Sequence, residues 1–176
     1  MNVLVTGGTG FIGQSLVPRL LAEGHKLVMF SRRPEYVRTR WPQAEAISSW
    51  SELNSCPQAV INLAGEGIAD KRWSVKRKKM LWDSRVTLSQ NMVEHFQQKN
   101  WVPETVLSGS AVGFYGDTGD QTVDEQSASG KDFSAHLCHS WESTILPLQR
   151  AGSRVCWLRT GLVLGQGGFL ARLKVP

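Results

Sequence analysis

The sequence has little of what marks a secreted, disulfide-bonded or membrane protein. It has three cysteines, Cys56, Cys138 and Cys156. They are odd in number and form no C-x-x-C pair, so neither a disulfide framework nor a cysteine metal site is predicted. No apolar run is long enough to cross a bilayer, and no charged segment with a cleavage site precedes the first apolar run. We therefore expect a soluble, cytoplasmic protein with reduced thiols and no membrane partner.

An apolar content of 41% in 176 residues argues against disorder and is enough for one globular domain over residues 1–176. The net charge is only +5, and much of it comes from the basic stretch at residues 71–79. This stretch includes Trp73 and would suit nucleic acid, but a solvated start of a helix is the favoured interpretation, so no nucleic-acid partner is expected. Because lysines at a helix N-terminus oppose the helix dipole, an anionic ligand is a further option.

Short β-branched runs alternate with longer segments of helical period. This alternation is typical of βαβ units and predicts an α/β fold with a doubly wound parallel sheet. The predicted strands cover residues 3–6, 27–30, 44–47, 59–63, 105–108 and 155–158, and the predicted helices cover residues 11–23, 74–99 and 133–150.

A glycine motif follows the first predicted strand directly. Gly7, Gly10 and Gly13 have G-x-x-G-x-x-G spacing and stand where the first helix begins. In this position the first glycine permits a tight turn, the second lets backbone amides approach a pyrophosphate, and the third lets the helix pack on the strand. The positive end of the helix dipole favours the same anion. The motif predicts a dinucleotide site.

The end of the second strand indicates which dinucleotide. An NAD-binding protein needs an acidic residue there for the ribose hydroxyls, but the chain reads Phe30-Ser31-Arg32-Arg33. The hydroxyl of Ser31 can donate a hydrogen bond to a 2′-phosphate, and the guanidinium of Arg32 can bind it with two hydrogen bonds. The predicted cofactor is therefore NADP.

Further stretches carry a resemblance to a known family. They are Asn62-Leu63-Ala64-Gly65-Glu66, Lys71-Arg72-Trp73, Asp83-Ser84-Arg85, Ser108-Gly109-Ser110-Ala111 with Tyr115-Gly116, Trp141-Glu142, and Arg159-Thr160-Gly161-Leu162-Val163-Leu164-Gly165. With the glycine motif they resemble the extended short-chain dehydrogenases, and more closely the YfcH-like epimerase family, over essentially the whole chain. The resemblance implies an NAD(P)-binding Rossmann fold. It also implies cofactor contacts from Gly7, Gly10, Phe11, Ile12, Gly13, Ser31, Arg32, Leu63, Ala64, Gly65, Arg85 and Leu162.

The same resemblance identifies only part of the catalytic set that the family usually has. Typical members use a serine on the fifth strand with a tyrosine and a lysine on the next helix, and Ser110 matches the serine. When Glu142 is aligned with the acidic residue that usually follows the pair, Ser134 and Cys138 fall where the tyrosine and lysine belong. Neither can replace them, because a serine hydroxyl has too high a pKa and a thiol lacks the ammonium charge. Tyr115 is then a candidate source of a phenol, with structural packing as the alternative.

A histidine pair on the third predicted helix offers two potential metal ligands. His136 and His139 share a helix face, but no third ligand is evident. Polar residues flanking a cofactor cleft are the preferred interpretation, and no metal is predicted.

Two functions compete on these grounds. The first is an NADP-dependent oxidoreductase or epimerase that acts on a carbonyl or a sugar hydroxyl of an unidentified small molecule, with Ser110 orienting it. The second is a module that binds NADP(H) without turnover and senses its redox state. Members of the family are longer, so we expect the C-terminal substrate region to be missing. The apolar surface it would cover is then expected to be exposed, which would favour a homodimer or lower the stability.

Overall fold

The structure is a computed structural model, and it describes residues 1–165. Within that range the chain forms one sheet of six parallel strands in the order β3-β2-β1-β4-β5-β6. The strands are β1 (Asn2–Thr6), β2 (Lys26–Phe30), β3 (Glu45–Ile47), β4 (Ala59–Asn62), β5 (Thr105–Ala111) and β6 (Arg154–Thr160).

The predicted doubly wound α/β fold is confirmed. Strands β1 to β3 are added in sequence towards one edge of the sheet, and strands β4 to β6 towards the other edge. The order of the strands therefore reverses between β1 and β4. In such sheets a crevice opens outside the carboxyl ends of the strands at this switch point. The helices are α1 (Phe11–Ala22), α2 (Pro34–Arg40), α3 (Val75–Trp82), α4 (Leu88–Gln98), α5 (Phe133–Ser143) and α6 (Leu146–Arg150), with a π-helical turn (Asp83–Thr87) joining α3 to α4.

The core lies on both faces of the sheet, because successive side chains of a strand point to opposite faces. Val3 and Val5 pack with residues of α1 and α2, including Val17 and Val37. Leu4 points the other way and packs with residues of α4 and α6, Phe96 among them. A third cluster joins α3 and the π turn to α5; it contains Leu81, Val86, Leu137 and Trp141.

The structure differs from the predicted elements in four places. The predicted helix over 74–99 is interrupted by the π turn between α3 and α4. The predicted helix over 133–150 is two helices, since Pro147 cannot donate the hydrogen bond that would continue the helix past Ser143. The helix α2 was not predicted; it is only 7 residues long and begins at Pro34. The strands β5 and β6 extend further towards their carboxyl ends than predicted. Among the described residues, no helix is long and apolar enough to cross a membrane.

Candidate functional site

A cavity of about 570 Å³ opens at the carboxyl ends of β1, β2 and β4. Seven residues predicted from the sequence line it: Gly7, Gly10, Ser31, Arg32, Leu63, Ala64 and Gly65. The side chains of Glu66, Met80, Asp83, Ser84 and Leu88 also contribute. The cavity therefore brings together the loops after three strands, as expected at the switch point of the sheet.

Two of the motif glycines hold these loops at a distance that only glycine allows. Gly7 has a φ of 70°, and a Cβ there would lie 2.4 Å from the carbonyl oxygen of Leu63. A Cβ on Gly13 would lie 2.3 Å from the carbonyl oxygen of Gly8, so the first turn of α1 rests directly on the loop. The loop after β1 is thus packed against both α1 and the loop after β4.

The helix α1 begins directly after the glycine loop. Gly10 is the N-cap residue and supplies no side-chain hydrogen bond. The amides of Phe11, Ile12 and Gly13 belong to the first turn, where no carbonyl within the helix can accept from them. Of the predicted contacts at this helix start, Gly10 lines the cavity, whereas Phe11, Ile12 and Gly13 do not. Uncapped amides at the positive end of a helix dipole suit an anionic ligand.

Ser31 and Arg32 lie at the carboxyl end of β2, as predicted, and Glu66 lies beside them. The hydroxyl of Ser31 accepts a hydrogen bond from the amide of Arg33 at 3.1 Å. The guanidinium of Arg32 is 84% exposed and lies 3.0 Å from a carboxylate oxygen of Glu66. The sequence indicated no carboxylate near this strand end. That interpretation was incomplete, because Glu66 reaches the same place from the loop after β4.

Glu66 also contacts a second arginine. Its other carboxylate oxygen lies 3.3 Å from the guanidinium of Arg77, whose side chain is only 6% exposed. Burial alone would raise the pKa of Glu66, but the hydrogen bonds and charges of Arg32 and Arg77 outweigh it, and the pKa is lowered. The basic stretch 71–79 is therefore not wholly a solvated helix start, because Arg77 points inward at the cavity wall.

A buried polar network lies behind the loop after β4. Thr6 donates to the side-chain carbonyl of Asn62 at 2.6 Å, and the Asn62 amide donates to Ser89 at 2.9 Å and to Ser108 at 3.3 Å. The amide of Ala64 donates to the hydroxyl of Thr6 at 3.2 Å. The network links the carboxyl ends of β1 and β4 and the middle of β5 to α4, and so fixes the loop after β4.

Two further predicted contacts lie outside the cavity lining. Arg85 is on the π turn and donates to the carbonyl of Glu66 at 2.8 Å, and a Cβ on Gly65 would come within 2.8 Å of its guanidinium. Burial lowers the pKa of Arg85. Leu162 is 64% exposed and does not line the cavity. The apolar side chains of Leu158, Val163 and Leu164 are also exposed.

The two candidate catalytic residues meet in a separate cluster. Ser110 is buried and donates to a carboxylate oxygen of Glu142 at 2.6 Å. Arg159 binds both oxygens of Glu142 at 2.9 Å and donates to the phenol oxygen of Tyr115 at 3.0 Å. The hydrogen bond to Glu142 raises the pKa of Arg159. Tyr115, Glu142 and Arg159 line a second cavity of about 820 Å³, which shares no lining residue with the first.

Glu142 and Arg159 were not predicted as site residues. Their signal was present, since both belong to stretches that carried the family resemblance, but their pairing joins α5 to β6 and depends on the tertiary fold.

The residues that stand in for the usual tyrosine and lysine lie against β5. The Cys138 thiol is within hydrogen-bond reach of Ser110 and of the Ala111 backbone, and burial raises its pKa, so it is un-ionised at neutral pH. The side chain of Ser134 lies next to Gly113, just past β5. His136 packs on Trp82 and His139 on Phe114. Within residues 1–165 no group of three His, Cys, Asp or Glu side chains is placed to hold a metal.

The sheet order, the glycine loop and the cavity at the switch point define a Rossmann domain of the dinucleotide-binding class. Residues 3–174 match the NAD dependent epimerase/dehydratase family, and the chain belongs to that family. It is 36% identical to the chloroplastic epimerase family protein SDR39U1 homolog of Arabidopsis thaliana, over 100% of this chain and 53% of that protein. The chain thus spans about half of that relative. The family resemblance inferred from the motifs is confirmed.

Two solved structures that share the fold are more than 30% identical to this chain. One is the human epimerase family protein SDR39U1 (isoform 2) with NADPH, with a TM-score of 0.80 and 31% identity over 98% of this chain and 58% of that one. The other is a nucleoside-diphosphate sugar epimerase from Corynebacterium glutamicum, with a TM-score of 0.77 and 33% identity over 99% of this chain and 37% of that one.

Proposed function

We propose that this chain binds NADP(H) in the cavity at the carboxyl ends of β1, β2 and β4, as the cofactor-binding part of an oxidoreductase or epimerase. The observation that carries the proposal is the convergence of three features in that cavity. They are a glycine loop with no room for a Cβ, an uncapped helix N-terminus, and an exposed guanidinium at the end of β2.

Each feature suits one part of the cofactor. The amides of Phe11, Ile12 and Gly13 would hold the pyrophosphate, because they are donors without partners within α1. Ser31 and Arg32 would hold the 2′-phosphate through a hydroxyl and a planar cation. The walls after β4, formed by Leu63, Ala64 and Gly65, would flank the nucleoside. The human relative with bound NADPH supports NADP over NAD.

For the reaction we propose hydride transfer to or from a carbonyl or sugar hydroxyl, the class that family membership supports. The bound nicotinamide would supply the hydride. In this chain Tyr115, which lines the second cavity, would exchange the proton with a substrate that extends from that cavity towards the nicotinamide. Arg159 donates to the phenol oxygen and leaves the phenol hydrogen free for another acceptor. Ser110 would orient the substrate oxygen, and Glu142, which accepts from Ser110, would position that hydroxyl.

A second candidate is an NADP(H)-binding module without turnover. It is favoured by the state of the catalytic positions: Ser110 is buried and engaged by Glu142, and the residue in the lysine position is an un-ionised thiol. In that case the cavity would bind the nucleotide while no group transfers a proton.

The binding proposal is tested by titrating the chain with NADPH and with NADH while following its tryptophan fluorescence, for which 7 tryptophans provide the signal. Saturable quenching by NADPH with a weaker response to NADH is the expected result. A chain that unfolds cooperatively in urea but binds neither nucleotide would contradict the proposal.

The reaction is tested by NADPH oxidation with a panel of aldehydes, ketones and oxidised sugars. Tyr115→Phe should lower the rate by about 10²- to 10⁴-fold, the usual effect of losing a general acid. Tyr36→Phe is the matched control, because Tyr36 is the only other tyrosine and does not line either cavity. Tight NADPH binding with no oxidation of any substrate would favour the non-catalytic module.

A further inference from the structure

The ion pair between Arg32 and Glu66 lies at the end of β2, where the proposed cofactor would place the 2′ group of its adenosine ribose. This group is a hydroxyl in NAD(H) and a phosphate in NADP(H). Resting on the proposed function, we propose that this pair reads the 2′ position of the adenosine ribose and admits both NADP(H) and NAD(H). Glu66 is then a residue that determines cofactor specificity.

The pair joins two loops that are far apart in the sequence. Arg32 follows β2 and Glu66 follows β4, and β1 lies between these two strands. Both side chains line the cavity, and they meet at 3.0 Å. A carboxylate beside the β2 end is what an NAD-binding site uses to accept from the ribose hydroxyls. Here that carboxylate comes from β4 instead of β2.

The two arginines hold Glu66 unequally. Arg77 is 6% exposed, also donates to the carbonyl of Gly67, and lies 4.0 Å from a carboxylate oxygen of Asp70. Arg32 is 84% exposed, and such solvated ion pairs contribute little to stability. Arg32 can therefore leave Glu66 at small cost, while Arg77 keeps the carboxylate in place and partly neutralised.

This inequality gives the site two states. With a 2′-hydroxyl, Glu66 accepts a hydrogen bond from the ribose, and Arg32 remains paired with it. With a 2′-phosphate, Arg32 turns from Glu66 to the phosphate, where it forms stronger charge-assisted bonds. The carboxylate then lies near the phosphate and repels it, so Glu66 reduces the preference for NADP(H) that Arg32 would give alone. The lowered pKa of Glu66 keeps the carboxylate ionised at neutral pH.

The direct test is Glu66→Gln, which keeps the shape and removes the charge. We expect NADH to bind about tenfold more weakly, as for the loss of one hydrogen bond to a charged group. NADPH should bind more tightly, by roughly threefold, because the repulsion is removed and Arg32 is released. The dissociation constant of NADH divided by that of NADPH should therefore rise by at least tenfold. Glu35→Gln is the matched control: it removes an exposed glutamate paired with Arg38, outside the cavity lining.

A second variant decides the question if Glu66→Gln leaves Arg77 without its partner and does not fold. Arg32→Gln should fold, since Arg32 is largely exposed. It should weaken NADPH binding by about tenfold or more and leave NADH binding unchanged or tighter, because Glu66 loses a competitor for the ribose hydroxyl. Arg38→Gln is its control, as an exposed arginine paired with a glutamate outside the cavity lining.

The outcomes separate this inference from the proposed function. An unmodified chain that binds neither nucleotide overturns both. The inference alone is overturned if the unmodified chain binds NADPH but the folded Glu66→Gln variant shows no rise in the ratio of the NADH to the NADPH dissociation constant. A parallel loss of NADH and NADPH affinity in Arg32→Gln also overturns it, because Arg32 would then serve both nucleotides equally.

Discussion

Replacing Gly7 by alanine tests whether the loop after β1 is held against the loop after β4 by the absence of a side chain. Two costs are expected. Gly7 has a φ of 70°, which costs an alanine about 1 to 2 kcal/mol. Its Cβ would also come within 2.4 Å of the carbonyl oxygen and 2.7 Å of the amide nitrogen in the neighbouring loop, at Leu63 and Ala64. Backbone atoms cannot rotate aside, so overpacking should add about 1 to 3 kcal/mol.

Gly24 offers a matched control, because it has a φ of 79° and no atom within 4 Å of the position of a Cβ. Gly24→Ala therefore carries the conformational cost alone. We expect it to lower the free energy of unfolding by about 1 to 2 kcal/mol, and Gly7→Ala to lower it by about 2 to 5 kcal/mol in total. Gly7→Ala should also weaken NADPH binding, since Leu63 and Ala64 line the cavity.

The assay is urea unfolding of both variants, followed by tryptophan fluorescence and by circular dichroism, with coincident transitions as the check on two-state behaviour. A Gly7→Ala variant that is no less stable than Gly24→Ala would refute the close approach of the two loops. A Gly7→Ala variant that is destabilised as expected, yet binds NADPH with unchanged affinity, would refute the link between that approach and the binding site.

Three further predictions concern the polar groups inside the fold. Glu142→Gln should cost about 3 kcal/mol in urea unfolding, because it leaves the guanidinium of Arg159 without its buried counter-charge; a loss equal to that of an exposed glutamate would contradict this. Asn62→Ala should cost about 2 kcal/mol or more, since it leaves buried hydroxyls without partners, and an unchanged urea midpoint would contradict it. The lowered pKa of Glu66 adds stability above the unfolded value of 4.5 that is lost as the pH falls through the lower folded value, so Glu66→Gln should lose less stability on acidification than the unmodified chain.

The fold was predictable because its signals are local. The strand β4 reads as a short apolar run, and the spacing of Leu81, Leu88, Met92 and Phe96 predicts one apolar helix face. Leu81, Met92 and Phe96 are fully buried, whereas Leu88 is half-buried and lines the first cavity. The π turn inside this helix gave no such signal, since a single wide turn barely changes the periodicity. It matters for the site all the same, because it carries Arg85 next to Gly65.

The sequence singles out Ser110 and Tyr115 as candidate catalytic residues but does not indicate how they are arranged. Ser110 and Tyr115 stand close in the sequence, and a resemblance to a family was enough to single them out. Their connection runs through Glu142 on α5 and Arg159 on β6, and the pairing of those two side chains depends on how the helix packs on the sheet. The sequence also contained no sign that Ser110 would be buried. Its burial matters because a buried hydroxyl that donates to Glu142 favours the non-catalytic module.

The sequence by itself determined the parallel sheet, the glycine loop and the arginine at the end of β2, because each follows from the order of residues within one βαβ unit. Only the tertiary structure decided what that arginine meets. The strand order β2-β1-β4 brings Glu66 to Arg32 and buries Arg77 behind it, so a carboxylate that looked absent from the β2 end is supplied by a different loop. The reason is physical: local patterns specify elements, whereas the charges that share a cavity depend on which strand ends the sheet places side by side.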